Sequence, residues 1–361
     1  MQRRQFIQAA GALPLAALAR RALAVGGPEL YAGEKALYEA ARKEGMCVSF
    51  DTGPEWANWK ALFREFKQRY PDIELTYNDL GSAATVVALE KMRRRPQADT
   101  AYYFAASAVD AARKDTGGAF PPRGLRAAAR GVPRGRRPLV HGAHAEHRFP
   151  GQPQARRPCS RGWADLLKPE YRNAVTYLDP RSTGVGQVLT FAAAYGNGGD
   201  EDNVKAGTDY LYRLHAAGNV QRVEGTTPYA KFLKGEIPVW IGYENDGLKA
   251  RHADGMGDAC EIVIPREASV AAPYAISLVK DGPNPNAGRL WLNFIMSDVG
   301  QRLFAQGFVR RSRRDVSLPR GRRAHARRAA DPPLGRGQGR GPQGRVGPVV
   351  GPGHPGQVGA P

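Results

Sequence analysis

The sequence predicts an α/β fold on largely parallel sheets, and three observations carry that reading. Short apolar strands alternate with amphipathic helices along 35–92, again along 174–242, and once more along 261–306. Trp59, Leu62, Phe63, Phe66 and Tyr70 recur at helical spacing, whereas Ile73, Leu75 and Tyr77 alternate as a strand does. Polar, turn-forming residues separate the runs, as at Pro71-Asp72 and Asp179-Pro180-Arg181-Ser182-Thr183-Gly184.

In order, residues 35–44 are rich in helix formers and stop at Gly45, which suits a left-handed C-cap; Met46–Phe50 then reads as a buried strand. A helix over 57–70 ends at Pro71, a second strand covers 73–77, and Ser82 caps a helix over 83–92 that carries Val86, Leu89 and Met92 on one side. Residues 174–178 form the next strand, followed by the Asp179–Gly184 turn and a helix over 185–195. A helix start preceded by Ser-Thr-Gly can take an anion or carboxylate, because its first N–H groups are unpaired and its dipole is positive there; equally, such a serine is often a plain cap. Residues 209–215 read as helix, 237–242 as strand, and Tyr243-Glu244-Asn245-Asp246-Gly247 as its terminal loop. Ligands collect at the carboxyl ends of strands in open α/β sheets, which puts this loop and the Ser182 turn at one edge. Strands at 261–265 and Tyr274–Val279 and helices at Pro285–Met296 and Asp298–Gln306 complete the pattern.

The N-terminus reads as an export signal over 1–24. Arg3-Arg4 precedes Gln5-Phe6-Ile7, a short Ala/Leu-rich segment follows, and Ala22-Leu23-Ala24 offers a small-x-small cleavage site, so the mature chain is expected to begin near Val25. The paired arginine resembles the twin-arginine class, and the apolar segment is too short to span a bilayer. The expected location is the periplasm.

The formal net charge of +19 would point to an anionic polymer as partner, but its distribution argues otherwise. Residues 116–161 hold ten Arg and one acid, Glu146, and residues 310–361 hold twelve Arg and two acids, Asp315 and Asp331; together these two stretches account for +19, and the rest is close to neutral. Both are crowded with Gly, Pro and Ala and lack an apolar period. GC-rich codons read out of frame explain them first, genuine disordered arms second, and nucleic-acid binding last, since the second stretch has no aromatic ring for stacking. No nucleic-acid partner is expected.

Trp163-Ala164-Asp165-Leu166-Leu167-Lys168-Pro169-Glu170-Tyr171, the Asp179–Gly184 turn, and Leu290-Trp291-Leu292-Asn293-Phe294 with Ser297-Asp298-Val299-Gly300-Gln301 resemble the extracellular solute-binding proteins of ABC importers. The resemblance is to the group that includes ferric-iron, polyamine, thiamine and aminoethylphosphonate binders, and it covers about 25–115 and 162–309. It implies a two-lobed periplasmic binding protein fold (type II), a monomer that closes on a small solute and delivers it to an inner-membrane ABC permease, with no catalysis and no cofactor. The implied division is 25–115 in lobe one, 162–259 in lobe two, and 260–309 returning to lobe one, with 116–161 and 310–361 outside the pattern. The implied cleft positions are Thr52, Gly53 and Glu55, Ser82 and Ala83, Tyr102, Ser182, Thr183 and Gly184, Tyr243, Glu244 and Asn245, and Tyr274.

For the ligand, the helix starts at Ser82 and Ser182 favour an anionic organic solute or phosphonate. A polyamine comes second, served by Glu55, Trp56, Asp79, Glu244 and Asp246; ferric iron comes third, because the adjacent Tyr102-Tyr103 pair lies in the first lobe and the cleft loops hold no His. An exported enzyme is the other class to weigh, yet the chain shows no GxSxG elbow, P-loop, zinc-ligand set or dinucleotide fingerprint. Three cysteines, Cys47, Cys159 and Cys260, are odd in number, and Cys47 and Cys260 sit in predicted strands as buried singles.

Overall fold

Strands and helices alternate in space as the apolar pattern requires. A computed structural model describes residues 27–118, 142–147, 160–200, 202–222, 228–265, 267–270, 273–313 and 315–317. In chain order these form α1 (Glu34–Glu44), β1 (Met46–Phe50), α2 (Trp59–Arg69), β2 (Glu74–Asn78), α3 (Ser82–Lys91), β3 (Thr100–Phe104), α4 (Ala105–Arg113), β4 (Gly117–Gly118), β5 (Gly142–His147), β6 (Val175–Thr176), α5 (Gly184–Gly196), α6 (Lys205–Ala216), α7 (Tyr229–Leu233), β7 (Val239–Tyr243), α8 (Glu244–His252), β8 (Cys260–Val263), β9 (Tyr274–Val279), α9 (Pro285–Met296) and α10 (Asp298–Gln306).

The strands build two sheets, one per lobe. The first runs β2-β1-β3-β9-β4, with β1 parallel to β2 and β3, and β9 antiparallel to β3 and β4. The second runs β6-β7-β5-β8, with β6 parallel to β7 and β5 antiparallel to both β7 and β8. The second sheet is therefore mixed rather than largely parallel, because its third strand, β5, comes from the basic stretch that the sequence reading set aside. Gly142-Ala143-His144-Ala145-Glu146-His147 is short and weakly apolar, but every residue from Gly142 to His147 has a register partner on β7 or β8.

Two further boundaries shift. The return to the first lobe is made by β9 and not from residue 260, since β8 is an edge strand of the second sheet. The fold also extends into the start of the basic tail: Val316 is buried, and Arg313 pairs with Asp298 and Asp315 and donates to the Met296 carbonyl. The expected export signal over 1–24, Cys159 and residues 318–361 lie outside the described residues. Among the described residues no helix is long and apolar enough to cross a membrane, and Cys47 and Cys260 are buried free thiols.

The first lobe's core is aromatic. Phe66 meets Trp291 edge-on with centroids 4.9 Å apart, Trp59 meets Phe304 at 5.2 Å, and Tyr70 and Phe294 close the cluster. Trp291 satisfies its one polar atom by donating from Nε1 to Ser49 Oγ (3.2 Å). α1 ends as expected, with Gly45 at φ 71° and its N–H on the Ala41 carbonyl. Glu34 lies fully buried against this core; burial alone would raise its carboxyl, but Arg69 Nε at 2.5 Å and the Tyr70 hydroxyl donate to it and take it below the ordinary range. The second lobe packs Trp163, Leu166, Tyr171, Tyr210 and Leu214 under α5, α6 and the sheet, where Tyr210 Oη donates to the Trp163 carbonyl at 2.7 Å.

Trp291→Ala should cost about 3–5 kcal/mol, because it empties the centre of the aromatic cluster and removes one of the two hydrogen bonds that Ser49 Oγ makes with Trp291 and Thr100. Urea unfolding of the purified variant measures the loss.

Candidate functional site

Because β1, β2 and β3 are parallel, their carboxyl ends share one edge, and the residues that follow β1 and β2 are Asp51 and Asp79. β7 presents its own carboxyl end, Tyr243, toward the same space. The two edges face each other across a cleft whose space, open mouth included, is about 780 Å³.

From the first lobe the lining takes Asp51, Trp56, Ala57, Asp79, Gly81, Ser82, Tyr102, Tyr274 and Val309. Leu178, Thr183, Gly184, Val185, Tyr229, Trp240, Tyr243, Asn245 and Asp246 line it from the second. Asp51 follows β1 with left-handed backbone (φ 54°), which turns its carboxylate onto the start of α3. There Gly81 N–H donates to Oδ1 (2.9 Å) and Ser82 Oγ donates to Oδ2 (2.8 Å), while the Phe104 N–H donates to Ser82 Oγ (2.9 Å). Asp79 accepts from Trp56 Nε1 (3.1 Å), which sets the indole at the cleft wall. Tyr102 and Tyr274 stack with centroids 4.8 Å apart, and the Tyr274 and Tyr243 hydroxyls meet at 2.7 Å across the lobes.

Burial sets the electrostatics. It pushes the Asp51 carboxyl up to about 7, with Asp79 adding to the rise and the hydrogen bonds from Ser82 and Gly81 opposing it. Burial raises Asp246 to about 7 as well, against the pull of Lys249 and of the Tyr243 backbone. The Tyr102, Tyr243 and Tyr274 phenols are raised far above their usual value by the same cause, so they act as neutral hydrogen-bonding walls. Among the described residues the lining holds three Asp and neither Lys, Arg nor His. Behind it, Lys249 pairs with Asp254 (3.1 Å) and lies 4.3 Å from the centre of the Tyr229 ring, and Arg310 pairs with Glu244 (3.0 Å).

Of the positions implied by sequence, Ser82, Tyr102, Thr183, Gly184, Tyr243, Asn245 and Tyr274 line the cleft, and the other six do not. Thr52 turns its hydroxyl back to the Ser49 carbonyl (3.2 Å), Gly53 packs against Asp79, and Glu55 is exposed. The Ala83 N–H and the Ser182 carbonyl meet each other at 3.2 Å, and Glu244 is held by Arg310. Two local expectations are corrected too. Ser82 is the first residue of α3 rather than its cap, since its hydroxyl serves Asp51; and 244–247 open a helix, α8, instead of a loop. Thr183 is the cap of α5, accepting from Gly186 N–H at 3.1 Å. Tyr103 points into the core, as strand alternation demands, so only Tyr102 of the adjacent pair faces the cleft. The sequence reading passed over Asp51, although its place directly after a buried strand was the signal that could have found it; Tyr229, Trp240 and Val309 reach the cleft only through tertiary packing.

The lobes touch closely. The Ser182 carbonyl of the second accepts from the Ala83 and Ala84 N–H groups of the first at 3.2 and 3.4 Å. A Cβ on Gly184 would meet Tyr274 Oη, Ser82 Oγ and the Phe104 Cβ at 2.7 to 2.8 Å, all from the first lobe.

Residues 151–321, a little under half of the chain, match the family model described as bacterial extracellular solute-binding protein. An uncharacterized protein of Haemophilus influenzae is 27% identical over 144 residues, covering 39% of this chain and 38% of that one. The spermidine/putrescine-binding periplasmic protein of Salmonella typhimurium is 25% identical over 134 residues, 37% of each. The chain thus spans under two fifths of the length of the curated relatives it matches. In fold, it is similar to the periplasmic binding protein AfuA of Actinobacillus pleuropneumoniae, solved with fructose-6-phosphate (TM-score 0.62, 19% identity, 76% of this chain and 86% of that one), and to a periplasmic thiamin binding protein (TM-score 0.59, 16% identity, 76% and 86%).

Gly184→Ala should leave each lobe folded but wedge the lobes apart, since helix position N1 accepts alanine and the clash lies wholly across the cleft. Small-angle scattering is expected to show a larger radius of gyration for the variant than for the wild type. Equal radii would show that Gly184 does not set the approach of the lobes.

Residues 151–321 are thus similar in sequence to the bacterial extracellular solute-binding proteins, and about three quarters of the chain shares the fold of periplasmic binding proteins.

Proposed function

We propose that the chain is an exported receptor that captures a small organic cation, of the putrescine or spermidine class, between its lobes and passes it to an ABC permease. One observation carries the choice of ligand: among the described residues the cleft is lined by Asp51, Asp79 and Asp246 among aromatic faces, with no cationic side chain. An ammonium group in such a place gains a carboxylate and a ring face together, as desolvated cation–π contacts require. This reverses the order taken from the sequence, which put anions first on the strength of the helix starts at Ser82 and Ser182. At α3 those donors are taken, with Gly81 N–H on Asp51 and the Ala83 and Ala84 N–H groups on the Ser182 carbonyl. Iron stays last, since Tyr103 is turned away from the cleft. The names of the Salmonella relatives agree with a polyamine, the twin-arginine pattern at Arg3-Arg4 supports export to the periplasm, and a receptor of this kind binds without turnover.

Spermidine at one hundred times its dissociation constant should raise stability by about 2.7 kcal/mol, read as a thermal shift, while phosphonates and ferric citrate leave the melt unchanged. A shift by the anions alone would replace this reading. Trp56→Ala should weaken spermidine roughly 3- to 30-fold, the range of a desolvated cation–π contact.

The pH dependence has a definite sign. Asp51 and Asp246 titrate near 7 in the empty cleft, against 3.8 ordinarily, so below 7 they carry protons that an ammonium must displace. Asp79 and the neutral Tyr102, Tyr243 and Tyr274 surround Asp51, while Lys249 acts on Asp246 and only partly offsets its burial. Affinity should fall as pH drops through 7, with protons released on binding, measurable by calorimetry in buffers of different ionisation enthalpy. Without ligand, the native state binds more protons than the unfolded chain between 3.8 and 7, so these two groups make the empty protein less stable as pH rises through that window.

A further inference from the structure

We infer that Asp51 decides the charge selectivity of the cleft by acting as its built-in anion. This rests on the reading of the cleft as a cation site and names the residue that makes it one. The start of α3 faces the cleft, with Gly81 and Ser82 both in the lining. A helix start carries positive dipole and unpaired N–H groups, and a free one would favour an anionic solute. Here a carboxylate of the protein already sits on it. Asp51 is 3% exposed, and it takes the Gly81 N–H and the Ser82 hydroxyl at 2.9 and 2.8 Å, donors that a phosphate oxygen would otherwise use. The seat is specific. The left-handed backbone at Asp51 aims the side chain, Gly81 at φ 86° lets its own N–H turn toward it, and Ser82 is fixed from behind by Phe104 N–H at 2.9 Å.

Two opposite outcomes follow from one side chain. With Asp51 present, an oxyanion meets a second negative group 2.8 Å from the donors it needs, and Asp79 stands nearby to add repulsion. With the carboxylate gone, the Gly81 N–H and the Ser82 hydroxyl would face the cleft unoccupied at the positive end of α3, two donors for an oxyanion beside the Ala83 and Ala84 N–H groups that stay on the Ser182 carbonyl. Asp51 is thus a specificity-determining residue in contact with the solute space.

Asp51→Gly suits the left-handed backbone and empties the seat; Asp51→Asn keeps the shape, retains an acceptor for Gly81 N–H, and removes the charge. Calorimetric titrations of wild type and both variants with spermidine and with inorganic phosphate, at low salt and with melting checked, decide the matter. The expected result is spermidine binding and no phosphate binding in the wild type. Asp51→Gly should gain saturable phosphate binding and lose spermidine affinity at least ~10-fold, whereas Asp51→Asn should lose spermidine affinity without gaining phosphate. A folded Asp51→Gly that takes no phosphate, or a wild type that takes phosphate equally well, overturns the inference. Should Asp51→Gly fail to fold, an Asp51→Asn that binds spermidine as tightly as the wild type overturns it alone. A wild type that takes no spermidine removes the polyamine reading and leaves the phosphate comparison to judge Asp51.

Discussion

The structure of the cleft depends on one carboxylate held at one helix start. Asp51 links the end of β1 to the beginning of α3 through Gly81 and Ser82, and Ser82 carries the link on to the end of β3 through the Phe104 N–H. Three segments that are distant in sequence are thereby fixed relative to each other on the wall of the cleft. The second lobe is fitted to that wall: the Ser182 carbonyl sits against Gly81, and Gly184 faces Ser82, Phe104 and Tyr274. Glycine at 81 and 184 is the steric counterpart of the Asp51 link, since a side chain at either would prevent the approach.

The treatment of buried carboxylates separates scaffold from cleft. Glu34 is fully buried and paired with Arg69, and Glu244, nearly as buried, is paired with Arg310. Arg69 and Tyr70 take Glu34 below the ordinary range, whereas Arg310 only partly offsets the burial of Glu244, which stays raised. Asp51 is as deeply placed, but its partners are dipoles, a backbone N–H and a hydroxyl; Asp246 has the Asn245 amide at 2.9 Å, a backbone N–H and the charge of Lys249. Their raised titration is the sign of charge left partly uncompensated. Among the described residues Asp51 is thus a deeply buried acid of the cleft whose partners are dipoles alone.

Much of the scaffold was legible because its periodicity is strong. β9, α9 and α10 begin and end where the alternation and the Pro285 and Ser297 signals put them, and α1 stops at Gly45 as its left-handed preference requires. The cleft was legible only in part, for a physical reason. Residues that follow a parallel strand can be located from the strand itself, which is how Thr183, Gly184 and Tyr243 are found; residues such as Tyr229 and Trp240 reach the cavity from a short helix and a strand face whose direction depends on packing. Helix starts misled for a related reason. Sequence shows that α3 begins near Ser82, but the occupancy of its donors by Asp51 and Ser182, residues 31 and 100 positions away, is a tertiary fact.

The net charge is the clearest case of composition pointing away from the site. A chain of formal charge +19 has an acidic cleft, because its excess arginine is confined to two stretches. Where those stretches are described, they serve the fold. Arg313 binds Asp298, Asp315 and the end of α9, and Arg310 crosses to Glu244 in the other lobe. β5 supplies more than packing: it lies between β7 and β8, so without it the second sheet would lose its only described connection to β8 and leave the backbone groups of β7 unpaired on one side. Backbone pairing asks little of side-chain composition. A strand of Gly, Ala, His and Glu can therefore complete a sheet within a segment whose overall composition resembles a linker, and the register of β7, which carries Tyr243 to the cleft, is set partly by it.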